Sequence, residues 1–251
     1  MGQGVTVGRA RRSGGESAVS EMEVHSGSGG VAAFVGHDVA AGHPFPEWMS
    51  LPEVFPRVPQ IPRVQEFLIR LLDLAGAFVM LILAAPVMLL FSCLIRVFSP
   101  GPILYKQERV GKQGRPFVLY KFRSMINEAE RHVGPIWAAK DDDRVTPIGK
   151  LMRKMRIDEL PQGFNGLKGD MSLVGPRPER PFFVQRHKAL QGVRLAVKPG
   201  LTGLAQIRAF YDLKPEHKLK YDYLYIQNRS LLLNLSILLR TVPVVIRKTG
   251  W

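Results

Sequence analysis

Leu74–Ile95, LAGAFVMLILAAPVMLLFSCLI, is a run of 22 residues without a charge. As an unbroken helix it would reach about 33 Å at ~1.5 Å per residue, enough to cross a bilayer core of about 30 Å. A transmembrane helix is therefore the default reading. Pro86, in the middle, removes one backbone donor and its ring clashes with the carbonyl four residues back, so a kink or break is expected there. Each half, at roughly 18 Å, reaches only to about the midplane. A sharp bend would return the second half to the face from which the chain entered. Proline is also tolerated in helices that span, so a kinked span and a hairpin both fit these residues. Cys93, the one cysteine, lies inside the run. It cannot form an intrachain disulfide and is expected to be a buried small hydrophobe.

Upstream, residues 1–62 read as a disordered leader. Gly, Ser and Pro recur (SGG at 13–15, SGSGG at 26–30), and neither a helical nor a strand period persists. The lack of an apolar core near Met1 argues against a cleavable secretory signal. MGQGVT fits the acylation pattern at Gly2 and Thr6, a match short enough to arise by chance. Pro52, Pro56, Pro59 and Pro62 then space an extended approach to Arg63.

Net charge is +14, from 35 Lys+Arg and 21 Asp+Glu, and it is unevenly placed. Six of the basic and eight of the acidic residues lie at or before Asp73, leaving 29 and 13 beyond it. Such a surplus attracts nucleic acid, anionic lipid or phosphorylated substrates. Because it follows Arg96, that side of the membrane should be cytoplasmic. Arg63 and Arg70 flank the other end, as a hairpin would also require.

Beyond the turn Ser99-Pro100-Gly101-Pro102, short strands at 103–105 and 117–120 are expected to pair as a hairpin around Gly111 and Gly114. Lys106, Lys121 and Arg123 place cations at its edge. A brief helix is expected over Asn127–His132. In KDDDRVTPIGK (140–150), three consecutive aspartates lack the spacing and glycine of a calcium loop, and a solvated turn is the preferred reading. Residues 147–160, PIGKLMRKMRIDEL, predict one basic amphipathic helix suited to anionic lipid. Near the C-terminus, Leu231–Leu239 predicts an interfacial or core helix ended or bent by Pro243, with Tyr221, Tyr223 and Tyr225 at headgroup depth.

The chemistry-bearing stretch is RKMRIDELPQGFNGLKGDMSLVGPRPE, 153–179. Adjacent carboxylates Asp158 and Glu159 stand among Arg153, Lys154, Arg156, Lys168, Arg177 and Arg180, with Pro161 directly after the pair and Pro176-Arg177-Pro178 stiffening the far end. Acid set among bases suits the handling of phosphate. A capped helix end with ion pairs, Arg177 pairing with Glu179 or Asp170, is the plainer alternative.

KFRSM (121–125), the spaced Asp142, Arg144, Thr146 and Gly149, DELPQ (158–162), GDMSLVGPRPE (169–179), KPGLTGLAQ (198–206) and YDYLYIQNRSLLL (221–233) together resemble the bacterial sugar transferase family. These are monotopic phosphoglycosyl transferases acting on polyprenol phosphate, and the resemblance runs from about Arg63 to Trp251. It implies a mainly α fold with a small β-hairpin: a re-entrant helix–break–helix over 63–99, broken at Ala85-Pro86, and interfacial amphipathic helices around a cytosolic catalytic domain over 100–251. It implies that Asp158 attacks the β-phosphate of a UDP-sugar, that UMP leaves, and that polyprenyl (undecaprenyl) phosphate takes the phospho-sugar from the aspartyl intermediate. Such products prime exopolysaccharide, O-antigen, capsule or glycoprotein glycans. Glu159 is implied as the partner of Mg²⁺, with Arg177, Arg153, Lys121 and Arg123 as candidates for binding substrate phosphate. The implied location is the bacterial inner membrane, with the catalytic domain on its cytoplasmic face, in contact with lipid and not with nucleic acid; a homodimer is left open. The sequence departs from the family at Ala85, where serine is frequent, at Asn234, where an acid is common, and at Asp143, where proline is common. A membrane-tethered scaffold without catalysis and a nucleic-acid-binding protein are the alternatives. For the latter, no zinc spacing or RNA-recognition signature is present.

Overall fold

The computed structural model describes residues 59–131, 134–137, 142–208 and 215–246. Of the expected leader, 1–62, residues 1–58 lie outside the described residues, as do Asp141 and His132. All described residues belong to one compact unit. It is mostly helical, with two small two-stranded sheets.

Helix α1, Arg63–Phe98, is a single assigned element that continues through Ala85 and Pro86. Two separate helices are not seen. It is long and apolar enough to cross a membrane, yet only 11% of its most apolar 18-residue stretch is buried, unlike the core helix of a soluble protein. Ile69, Asp73, Ala77, Phe91 and Ile95 form its buried face, on both sides of Pro86. Ala77 packs with Leu173, Val174 and Ile237, while Phe91 and Ile95 pack with Phe122, Met152 and Ile157. Both halves thus rest on the same globular body. The opposite face leaves Phe78, Leu83, Leu89 and Val97 exposed. Cys93 is on that side and is exposed, not buried as expected, because the packed stripe on α1 is narrow.

Two polar residues fasten the N-terminal half. Asp73 Oδ1 accepts from Ser172 Oγ at 2.7 Å and from the Leu173 amide at 2.8 Å. Arg70 donates to the carbonyls of Gly166 and Leu167 at 2.8 and 2.9 Å, at the C-terminal end of helix α3, Gly163–Lys168.

Strands β1 (Leu104–Val110) and β2 (Pro116–Phe122) pair antiparallel from Leu104 opposite Phe122 to Val110 opposite Pro116, longer than the sequence implied. The 127–131 segment forms turns, with Glu128 at φ 56°, in place of the expected helix. The amphipathic stretch 147–160 is not one helix. Helix α2 covers only Pro147–Lys154. Arg156 then takes a left-handed conformation, φ 57°, ψ 18°, which costs a non-glycine residue roughly 1–3 kcal/mol, and a 3₁₀ helix follows over Ile157–Gln162. α2 and its C-cap still expose Leu151 and Met155 beside Lys150 and Lys154.

Strand β3 (Ser172–Val174) pairs parallel with β4 (Gly200–Thr202), a sheet that three-residue strands do not announce in sequence. Helices α4 (Pro181–Arg186) and α5 (Leu204–Arg208) are short. Helices α6 (Pro215–Gln227) and α7 (Leu231–Ile246) complete the unit. Pro243 lies inside α7 and does not end it; Leu232, Leu239 and Ile246 stay exposed along it. Tyr223 is half-exposed, as headgroup depth would require, but Tyr225 is buried and donates to the Val174 carbonyl. Asn234, fully buried, accepts a second bond from the Tyr225 hydroxyl at 3.0 Å.

Candidate functional site

The turn at Arg156 swings the chain so that Asp158 and Glu159 open the 3₁₀ helix, both turned inward. Asp158 is 8% exposed. Two attachments hold the helices on either side of the 3₁₀ helix, α3 and α2, in place. Asn165, fully buried, donates to the Val118 carbonyl at 2.6 Å and accepts from the Tyr120 amide at 3.1 Å. That pairing brings β2, and Lys121 upon it, to the acidic pair. On the other side, Thr146 caps α2 by accepting from the Gly149 amide at 3.0 Å, and a Cβ on Gly149 would collide with the Ser124 carbonyl. Asp142 and Arg144 form a two-point ion pair that fixes the turn before it, which holds the Asp142 carboxyl at about 2. The spaced Asp-Arg-Thr-Gly motif is therefore a brace for α2.

Glu159 is the better stabilised carboxylate. Arg177 Nη2 lies 2.5 Å from its Oε1, and Arg156 Nη1 lies 3.6 Å from its Oε2. Burial raises its pKa, but these two guanidiniums outweigh burial and the net direction is down. Asp158 moves up, first through burial and then through the Glu159 charge, with Lys121, Arg153 and Arg177 opposing. Neighbouring acids have thus been driven apart, one firmly ionised and one poised as a stronger base. Burial, together with the Arg109 charge, pushes the Lys121 ammonium down to about 8. Arg153 Nε donates to Ser124 Oγ at 2.8 Å, keeping that guanidinium within electrostatic reach of Asp158.

Arg177 owes its position to a backbone held on several sides. The Gly200 amide donates to the Pro176 carbonyl at 2.9 Å, and the Gly175 amide to the Thr202 carbonyl at 2.9 Å. Arg109 Nη1 donates to the Pro178 carbonyl at 2.9 Å. Arg194 Nη2 donates to the carbonyl of Arg177 itself at 2.7 Å, while its Nε pairs with buried Asp222 at 2.6 Å. Glu179 completes this layer, within 4 Å of Arg109, Arg194 and Lys218. Arg177 pairs with Glu159, while Glu179 is engaged by Arg109, Arg194 and Lys218.

Asp158, Glu159, Arg177, Arg153 and Lys121 are brought together as expected. Arg123 points elsewhere, with Nη2 on the Ser99 carbonyl at 2.6 Å. Ala85 and Pro86 sit exposed on α1. Arg109, Arg194, Asp222 and Asn165 were missed in the sequence, because nothing in their spacing shows that they converge on the Pro176–Pro178 turn or on β2. Among the described residues no group of three or more His, Cys, Asp or Glu could cage a metal. The donors present are the two adjacent carboxylates, which suits Mg²⁺, an ion commonly held by one or two carboxylates together with substrate phosphates and water.

The profile of a known family, described as bacterial sugar transferase, matches residues 64–248. The chain is 42% identical over 193 residues to a UDP-N-acetylgalactosamine-undecaprenyl-phosphate N-acetylgalactosaminephosphotransferase of Aeromonas hydrophila, covering 74% of this chain and 45% of that protein. It is 42% identical over 182 residues to a UDP-glucose:undecaprenyl-phosphate glucose-1-phosphate transferase of Klebsiella pneumoniae, covering 69% and 39%. It is 36% identical over 203 residues to an undecaprenyl-phosphate galactose phosphotransferase of Salmonella typhimurium, covering 75% and 42%. The matched region spans less than half of each of these relatives. With its acidic pair, its Pro-Arg-Pro turn and a profile match over most of its length, the chain belongs to the bacterial sugar transferase family.

Proposed function

We propose that this chain is a phosphoglycosyl transferase that moves a hexose-1-phosphate from a UDP-sugar to polyprenyl phosphate. The observation that carries the reading is the buried Asp158 carboxylate, raised in basicity beside an ionised Glu159 and faced by Lys121, Arg153 and Arg177. In the first step an Asp158 oxygen attacks the β-phosphorus. The bond from that phosphorus to the bridging oxygen breaks, and UMP leaves with the electron pair. An oxygen of polyprenyl phosphate then attacks the same phosphorus, displacing the Asp158 carboxylate and giving polyprenyl diphosphate sugar. Dividing one displacement into two is the use of a carboxylate nucleophile. Its approach to a diphosphate is repulsive unless cations offset the charge, and Arg177, Arg153 and Lys121 stand where they can do so. Glu159, with Asp158 beside it, would hold Mg²⁺ jointly with the substrate's phosphate oxygens, and the ion would supply further charge neutralisation.

The membrane reading follows from α1. Contacts on both sides of Pro86 belong to one globular body, which supports a helix that enters and leaves at one face, bent within a continuous helical run. A helix rising straight across a bilayer would draw that body, dyad included, into the hydrocarbon. α2 and α7 also carry exposed apolar side chains, as contact with lipid would require. With its basic surplus the body fits the cytoplasmic face of the bacterial inner membrane.

Purified full chain, given polyprenyl phosphate and a panel of UDP-sugars, is the test. Release of UMP with formation of a lipid-linked sugar from at least one donor is expected. A folded protein that releases no UMP from any of them would leave the scaffold or nucleic-acid readings in its place.

A further inference from the structure

Three residues of helix α6 reach the stretch that carries Arg177, two of them directly and one through Arg194. The Tyr225 hydroxyl donates to the Val174 carbonyl at 3.0 Å. Asp222 accepts from Arg194 Nε at 2.6 Å, and the same guanidinium donates through Nη2 to the Arg177 carbonyl at 2.7 Å. Lys218 Nζ stands 3.7 Å from Glu179 Oε1. Steps of four and three residues separate 218, 222 and 225, so all three share one face of α6. Their targets follow in reverse order, Glu179, Arg177 and Val174. The helix is laid along the Pro-Arg-Pro turn like a splint, antiparallel to it.

Asp222 and Arg194 are both buried. Taking such a pair out of water costs about as much as its attraction returns, and apolar side chains of equal volume would hold α6 at least as firmly. Packing alone therefore does not account for a charged face here. What the charges add is direction. An acid on α6 orients Arg194, and Arg194 fixes the carbonyl of the residue whose own guanidinium reaches Glu159.

We propose that the Lys218–Asp222–Tyr225 face of α6 positions the Arg177 guanidinium at the acidic pair, with Asp222, acting through Arg194, as the chief positioning residue. This role deepens the transferase reading and rests on it for a rate to measure, while the orientation of Arg177 can be read without turnover.

The test is a double-mutant cycle in transfer kinetics on the purified full chain. Asp222→Asn, close in shape, should lower kcat/KM about 10–10²-fold, the scale of a misplaced binding group. Where Arg177 is already replaced, in Arg177→Ala, the same change should cost less than about twofold, because nothing is left to aim. Tyr225→Phe removes one hydroxyl and keeps the ring in the core; it should cost about fivefold, the scale of one hydrogen bond, with the same dependence on Arg177. Equal factors in the two backgrounds, the mark of a merely structural role, overturn the proposal. The side-chain Nε–H resonance of Arg177, identified by its loss in Arg177→Ala, is the second readout and should move in folded Asp222→Asn and Tyr225→Phe. A resonance unmoved in both overturns the proposal. Should Asp222→Asn not fold, Tyr225→Phe decides by the same two measurements. A native chain that transfers no sugar phosphate from any donor sinks the transferase reading, and the Arg177 resonance alone then decides the positioning.

Discussion

Arg177 Nη2 lies 2.5 Å from Glu159 Oε1, joining the Pro-Arg-Pro turn to the acidic pair across 18 residues of sequence. The contact makes Glu159 an ionised carboxylate in a buried place and leaves Asp158 as the more basic partner. Because the Arg177 carbonyl is itself held by Arg194, the guanidinium is aimed by the fold and not by its own flexibility.

Arg177→Lys keeps a charge but loses the planar fork. We expect kcat/KM for the UDP-sugar to fall about 10²–10³-fold, the usual scale for removing one preorganised donor to a developing phosphate charge. Pairing Arg177→Ala with Glu159→Gln should cost less than the two single losses combined, since the residues are in contact. Strict additivity would show that they act separately.

The pH profile of kcat/KM should be bell-shaped. Asp158 attacks only when ionised, and its pKa is raised, so the rate climbs with pH through a value above the ordinary carboxylate range. Lys121 helps only while protonated and is pushed down to about 8, so the rate falls as pH rises through that region. Lys121→Arg, permanently charged, should remove the alkaline limb. A native profile flat well above pH 8 would remove Lys121 from the phosphate site.

Asp73→Ala strands the Ser172 hydroxyl and the Leu173 amide in a buried place, at a cost of about 1–3 kcal/mol. Asp73→Asn keeps an acceptor and should cost less. Chemical unfolding of the purified chain reads the difference, while the exposed apolar face keeps both variants in the membrane fraction. An unchanged midpoint for Asp73→Ala would mean that α1 is not clasped there.

Much of the site was legible because its residues are close in sequence: Asp158-Glu159 and Arg177 lie within one stretch, 153–179, punctuated by proline. The hairpin was legible because Gly111 and Gly114 separate two apolar runs. The parallel pairing of β3 with β4 was not, since three-residue strands carry no usable period. The turn at Arg156 was also hidden. An arginine at positive φ is set by tertiary packing, and local propensity favoured one continuous helix over 147–160. In sequence Glu179 stood only as the alternative partner of Arg177 and Asp222 carried no signal of its own; burial against Arg194 gives both a place.

The most direct measurement is intact-peptide mass spectrometry of the full chain, quenched after incubation with UDP-sugar in the absence of polyprenyl phosphate. A phospho-hexose adduct on Asp158, discharged when polyprenyl phosphate is added and absent from Asp158→Asn, is the expected result. Lipid-linked product formed at full rate with no adduct ever found on Asp158, or by Asp158→Asn as readily as by the native chain, would contradict it.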